Sequence, residues 1–341
     1  MRYVTIKDIA VALGLSKSTV SRALSGDSKN VSKETLQKIV ETANEMGYRR
    51  NELAVNLRLR STRIIGIMVP EMTTTFSMSF ITAAQSLLNQ QGYRVILALS
   101  DENPETERVN LTMFDNARVE GILISACHNT ANLDVYQSFL DRHIPIVLFD
   151  RTISNISVPG VKSNDYTQSF FMVEHLIRSG KKQILHLTGP RHIQNTIDRK
   201  KGYRDALAKF HIPYDSRYAI PTMYSRLGIS VEDGANAIKK VLSLDIPFDA
   251  VFCFTETQAL GAKRTLQEHN IAIPSEVAIC CMSGTALSTL VHPPLTAVEQ
   301  QVDEMATIAV RLILEKINDF SIPDQTITLE SNIIIRKSTV E

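Results

Sequence analysis

The sequence predicts an α/β protein with an N-terminal all-α helix-turn-helix head and a larger body of parallel β-sheets in two lobes. Three observations predict it. The first fifty residues hold capped, amphipathic helical stretches and no strand-like run. From about Ser61 onward, short Val/Ile/Leu runs alternate with amphipathic helical stretches, the pattern of parallel sheets covered on both faces. Charge is divided: residues 1–60 carry eleven Lys/Arg and six Asp/Glu, a net +5, whereas residues 61–341 carry −4 in a chain whose total is +1. A basic head on a mildly acidic body is the footprint of a part that meets a polyanion, joined to a part with another task.

Taken in order, Thr5 and Asp8 fit a capping box, and Ile6, Ile9, Ala10 and Leu13 share one helical face. Gly14 suits the sharp exit, and Ser16 can cap a second helix whose Val20 and Leu24 point inward. The other side of that helix offers Lys17, Ser18, Ser21 and Arg22, the short or cationic hydrogen-bonding groups a helix needs to lie in a major groove. Val31-Ser32 with Leu36 forms a hydrophobic staple around a third helix carrying Leu36, Ile39, Val40 and Ala43 and closed by Gly47. Residues 1–50 are therefore assigned to the head. Residues 51–60 form a hinge or linker ringed by Arg49, Arg50, Arg58, Arg60 and Arg63. Its 51–58 segment lacks a large apolar face, so it is expected to become helical only against a nucleic acid.

The body spans 61–341. Strands are expected at Ile64–Val69, Arg94–Leu99, Gly121–Ser125 and Ile146–Phe149, then at Ile184–Thr188, Ala250–Phe254 and Glu276–Cys281. Helices are expected at Phe80–Gln91, Glu105–Asn116, Thr167–Ser179, Asp198–Phe210, Val231–Ser243 and Thr257–His269. A divide near Val158–Ser163 separates lobes of approximately 61–160 and 161–290, with C-terminal segments crossing between them. In open parallel sheets, ligands sit beyond the carboxyl ends of the strands. The candidate effector-binding residues are accordingly Phe76, Asp101, Ser125 and Arg151 (beside Asp150) from the first lobe, and Asn195, Arg199, Glu256 and Ser283 from the second. Carboxylate, guanidinium and amide groups facing one cleft suit a small polyhydroxylated ligand.

Several classes are disfavoured. No GxGxxG follows a strand, and no GxxxxGK[ST], HExxH or GxSxG occurs, so no catalytic residue and no cofactor is expected. His186 falls in a strand pattern and reads as a packed core imidazole. Cys127, Cys253, Cys280 and Cys281 lack metal-binding spacing and read as buried reduced thiols, and no metal site is expected. The chain opens Met-Arg-Tyr with no apolar signal region, and no run approaches the ~18 apolar residues of a membrane span, so a cytoplasmic protein with no membrane contact is expected.

The blocks "TIKDIAVALGLSKSTVSRAL" and "EMGYRRNELAVNL", followed in order by "IIGIMVPEMTTTF", "QQGYRVILALS", "VEGILIS", "PIVLFDR", "RKKGYRDAL" and "PPLTAVEQ", resemble the LacI/GalR (lactose- and galactose-repressor) transcription regulators along essentially the whole chain. The resemblance implies a cytoplasmic homodimer that binds a pseudo-palindromic double-stranded DNA operator and represses transcription. Its body would be similar to periplasmic sugar-binding proteins, closing around a small effector. It places Lys17 and Ser18 at base edges, Thr19, Ser21 and Arg22 at further base or phosphate contacts beside the capping Ser16, and Thr5 and Asn30 near phosphates. Ala54 and Leu57 match hinge residues that enter the minor groove, with Leu57 as an unstacking wedge. This chain departs from the family where Arg50 replaces a usual proline, Thr74-Thr75-Phe76 replaces Asn-Pro-Phe, Thr255-Glu256 replaces Asn-Asp, and Cys281-Met282-Ser283-Gly284 replaces Gly-Phe-Asp-Asp. Arg199 is kept. One lost carboxylate and a kept arginine favour a neutral or anionic sugar as effector; the alternatives are a nucleobase-like corepressor and a solute-binding module with no regulatory role.

Overall fold

A computed structural model describes residues 4–24, 31–48, 61–72, 74–128, 130–153, 155–222 and 230–340. Asn30, Ala54, Leu57 and the 51–58 segment lie outside them. Contacts divide the chain into two compact units, Met1–Thr62 and Arg63–Glu341.

The head contains α1 (Ile6–Leu13), α2 (Lys17–Leu24) and α3 (Lys33–Glu45). Thr5 caps α1 in a full capping box with Asp8, and Gly14 closes it in the left-handed region at φ 64°. Ser32 caps α3, and the staple pair Val31 and Leu36 packs on the head core of Ile9, Ala10, Val20, Ala23, Ile39 and Ala43.

In the body the chain runs β1 (Ile64–Val69), α4 (Thr75–Gln90), β2 (Arg94–Leu99), α5 (Pro104–Asn116), β3 (Gly121–Ile124), α6 (Leu133–Asp141), β4 (Ile146–Phe149) and β5 (Gly160–Ser163). It continues with α7 (Asp165–Arg178), β6 (Ile184–Thr188), α8 (Gln194–Lys209), β7 (Ala219–Pro221), α9 (Val231–Ser243), β8 (Ala250–Cys253), α10 (Glu256–Glu268) and β9 (Ala278–Cys281). The last elements are α11 (Leu287–Leu290), β10 (Thr296–Glu299), α12 (Val302–Asn318), β11 (Thr326–Leu329) and β12 (Asn332–Ile334). Two six-stranded sheets result, ordered β11-β5-β4-β3-β1-β2 and β12-β10-β9-β8-β6-β7. Every pairing is parallel except β10 with β12.

The continuous apolar strands follow from burial on both faces. In β1, Ile65, Ile67 and Val69 pack with α4 and α12, while Met68 packs with Leu111 and Phe114 of α5 and Tyr136 and Phe139 of α6. In the second sheet, Leu185, Val251 and Ile279 meet α9 and α10, and Phe252 and Cys280 meet α7 and α8.

The expected divide at Val158–Ser163 is corrected in one respect. Residues 160–163 form β5, an integral strand of the first sheet between β4 and β11. Its Gly-Val-Lys-Ser sequence is too short and polar to announce a strand, and its partner β11 lies more than 160 residues away. The chain then crosses between lobes three times, at 163–165, 299–302 and 329–332. The crossings are bonded together: Ser331 N donates to Asn164 Oδ1 at 3.1 Å, Gln168 Nε2 to Ser331 O at 2.7 Å, and Gln300 Nε2 to Ser163 Oγ at 2.9 Å.

Helices α9 and α10 touch backbone to backbone. A Cβ on Gly234 would lie 1.9 Å from Gln258 O, and one on Gly261 only 1.7 Å from Val231 O. Gly261→Ala is therefore expected to force these helices apart and destabilise the body by about 2–3 kcal/mol, read as a lower urea midpoint. An unchanged midpoint would show that the contact yields freely.

Candidate functional site

The head presents its candidate residues on α2. Val20 and Ala23 are buried against the head core, and Lys17, Ser18 and Arg22 are exposed on the opposite side with Ser21 half-buried. Ser16 Oγ accepts from Thr19 N at 3.1 Å and bonds Thr19 Oγ1 at 2.8 Å, so Ser16 and Thr19 hold the start of the helix. Thr5 is exposed, and its hydroxyl lies 2.7 Å from Asp8 Oδ2 in the α1 cap. Charge and small hydroxyls thus share one solvent face.

The body carries a cleft of about 880 Å³ between its lobes. Seven of the eight effector candidates line it: Phe76, Ser125 and Arg151 from the first lobe, and Asn195, Arg199, Glu256 and Ser283 from the second. Asp101 does not line it. It sits in a turn with φ 51°, and the carboxylate that serves the cleft is its neighbour Glu102, whose Oε1 accepts from Arg151 Nη1 at 2.8 Å. The strand-end rule placed the turn correctly, but two successive left-handed residues send Glu102 inward. Sequence reasoning left out Glu71, Thr285 and Gln300, which line the cleft, and named Asp150 only beside Arg151, although it lines the cleft as well. Asp150 directly follows β4 and was legible as a strand end. Gln300 was hidden because β10 was not recognised.

Glu256 lines the cleft, and its carboxylate also bonds within the second lobe. Its Oε1 accepts from Thr285 N at 2.9 Å and from Ser288 Oγ at 2.5 Å, and its Oε2 accepts from Thr285 Oγ1 at 2.6 Å. The carboxylate anchors the turn after β9, the region where the expected acidic residues are replaced. Across the cleft, Asn195 Nδ2 donates to Asp150 Oδ1 at 3.1 Å and joins the lobes directly.

Each guanidinium of the cleft is matched by a buried carboxylate of its own lobe. Arg199 Nε donates to Asp165 Oδ1 at 2.6 Å and Nη1 to Phe254 O at 2.7 Å, with the guanidinium 4.3 Å above the Phe254 ring. Arg151 pairs with Glu102, which also accepts from His128 N at 2.9 Å. Burial raises the Glu102 pKa, but the charge of Arg151 and the bonds from His128 and Arg151 outweigh it and leave the carboxyl below its ordinary value. At Asp165 burial wins over Arg199, Asp150 adds repulsion, and the pKa rises to about 6. Asp150 is raised too, mainly by burial, against the pull of Arg151 and Arg199. His186 is buried, stacks on Phe252 at 4.7 Å, and is held down to about 3 by burial. The four cysteines are buried and unbridged. Among the described residues no group of acidic, His or Cys side chains could hold a metal, and no helix is long and apolar enough to cross a membrane.

A helix-turn-helix head with a polar recognition face, carried on a two-lobe body with an interlobe cleft, defines a ligand-responsive DNA-binding regulator. Residues 5–51 match the family described as bacterial regulatory proteins, lacI family, and residues 173–339 match the periplasmic binding protein-like domain. The chain belongs to the lacI family. It is 29% identical to catabolite control protein A of Priestia megaterium, over 98% of this chain and 99% of that protein. It is likewise 29% identical to the HTH-type transcriptional repressor PurR of Vibrio atlanticus, over 99% and 98% of the two chains. The lac repressor dimer bound to operator and the anti-inducer ONPF shares the fold, with a TM-score of 0.85 over 100% of both chains at 21% identity.

The raised pKa of Asp165 has a measurable sign. The folded body keeps this proton up to about pH 6, whereas the unfolded chain releases it near the ordinary 3.8. This carboxyl's contribution to stability is full below 3.8 and is lost as pH rises through 6. The urea midpoint of the wild type should therefore fall relative to that of Asp165→Asn between pH 4 and 6, with a constant gap above pH 7. A gap independent of pH throughout would reject the elevated value.

Proposed function

We propose that this protein is a dimeric, sequence-specific transcriptional repressor whose DNA binding is set by an uncharged, polyhydroxylated effector in the interlobe cleft. The observation that carries the effector class is the charge matching of the cleft. Both guanidiniums are already paired with buried carboxylates, and Asp150, Glu71 and Glu256 add further negative charge to the lining. An anionic ligand would face these carboxylates in a poorly solvated space. Hydroxyls, in contrast, can donate to Asp150 and accept from Asn195, Gln300 and the remaining guanidinium N–H groups. The anionic branch of the expectation from sequence is thereby set aside. A nucleobase-like corepressor is the second reading, supported by the aromatic rings of Phe76 and Phe254 on the cleft wall.

In this proposal α2 enters the major groove with Lys17, Ser18, Ser21 and Arg22, while Ser16, Thr19 and Thr5 hold the helix starts near phosphates. The roles of Asn30, Ala54 and Leu57 at phosphates and in the minor groove belong to the same proposal. Effector binding would shift the population between body states with different operator affinity. Closure of the cleft would be registered at Asp150 and Asn195 and transmitted through the three crossings.

Arg22→Ala is expected to weaken operator binding by more than about 1 kcal/mol without altering effector affinity. A footprint at wild-type protein concentrations would remove Arg22 from the interface. For the cleft, calorimetry should compare neutral hexoses and disaccharides with their uronates and with purines. We expect neutral sugars to bind, uronates to bind at least tenfold more weakly, and Asn195→Ala to lose the neutral ligand while still binding operator. Tighter binding of a uronate would overturn the assignment, and saturable purine binding would favour the second reading.

A further inference from the structure

The second lobe carries another cavity, an open groove of about 1490 Å³ between α8 and β7. Four cations line it: Arg191 from the turn after β6, and Lys200, Lys201 and Arg204 from α8. None of the four forms an ion pair with a carboxylate among the described residues. Lys201 and Arg204 lie instead against aromatic rings, 5.3 Å from that of Tyr166 and 4.9 Å from that of Tyr214. The one acidic residue lining the groove, Asp205, accepts from Tyr166 Oη at 2.9 Å.

A second observation concerns a residue of the same groove wall. Thr196, Lys200 and Arg204 stand one turn apart along the same row of α8. Thr196 lines the groove, is only 4% exposed, and its buried hydroxyl has no hydrogen-bond partner. A buried, unsatisfied hydroxyl is unfavourable by about 1–3 kcal/mol, and it lies in a row with two cations. The turn that leads into α8 is tight around it, since a Cβ on Gly189 would meet Thr196 Oγ1 at 2.6 Å. The cleft shows the contrasting arrangement, because each of its guanidiniums is already neutralised.

We propose that this groove is a second ligand site, separate from the effector cleft, that binds a small phosphomonoester. Arg204 and Lys200 grip the phosphate oxygens through charge-assisted bonds, Arg191 and Lys201 supply further positive charge, and the Thr196 hydroxyl, shielded in the ligand-free chain, rotates to donate to one oxygen. Tyr214 offers a flat wall for the rest of the molecule. The site goes beyond the proposed regulation by a neutral effector and gives the body an input for a ligand of opposite electrical character.

The test is calorimetry on the full chain at fixed ionic strength, with inorganic phosphate and glycerol 3-phosphate as probes. Wild type should bind glycerol 3-phosphate saturably, one per chain, and inorganic phosphate more weakly at the same site. Lys200→Gln with Arg204→Gln, on the accessible side of α8, should weaken binding at least tenfold. Thr196→Val keeps shape and charge and should weaken it about fivefold; an undirected patch of positive charge would not respond to this change. Phe76→Ala, in the cleft, should leave phosphate binding as it was. The proposal is overturned by non-saturable binding, by wild-type affinity in either groove variant, or by loss of phosphate binding in Phe76→Ala. Thermal melts of each variant separate misfolding from a lost site, and the Thr196→Val result stands if the double variant fails to fold.

Discussion

A buried guanidinium holds the cleft in register. Arg199 reaches from α8 to Asp165 at the start of α7 and to the Phe254 carbonyl just beyond β8, and its charge also acts on Asp150 of the other lobe. Taking that charge out of water is tolerable only because Asp165 and the carbonyl replace its hydration. Three elements of the second lobe are thereby fixed at the point where the chain enters it. Asp165 bears the strain of this arrangement as a carboxyl held protonated to about pH 6.

The other groups of the cleft divide into those that bond within one lobe and those that bond across the lobes. Glu256 and Glu102 belong to the first kind, one anchoring the turn after β9 and the other neutralising Arg151. Asp150 and Asn195 belong to the second, because their mutual bond spans the lobes. In the proposed function a ligand that replaces that bond would change how the lobes meet, and the crossings are themselves bonded together through Asn164, Ser331 and Gln300.

The two cavities differ in their electrostatics although both are lined by arginine. In the cleft every guanidinium has a carboxylate partner and the lining is, on balance, acidic; in the groove four cations meet one carboxylate already engaged by a tyrosine. α8 contributes to both, with Asn195 and Arg199 in one cavity and Thr196, Lys200 and Arg204 in the other, and the proposed neutral and anionic ligands follow from that difference in charge.

Local patterning alone determined the head: the Thr5–Asp8 box, Gly14, the Val31–Leu36 staple and the polar side of α2 all depend on residues within a few positions of one another. The same holds for β1, β3, β4, β6, β8 and β9, because strands buried on both faces are unbroken apolar runs, for the less buried edge strand β2, which is also an apolar run, and for most of the cleft, because its lining residues stand near strand ends. Tertiary structure decided what depended on distant partners. β5 and β11 are short, polar at several positions and stabilised by pairing across more than 160 residues, so neither is visible locally. α12 covers the first sheet although the strand before it belongs to the second. That Glu256 also bonds the turn at Thr285 and Ser288 depends on residues far along the chain, and the basic residues of α8 became a groove only when β7 was placed beside them. Charge and residue type are written in the sequence, but which charges neutralise one another is set by contacts that only the folded chain makes.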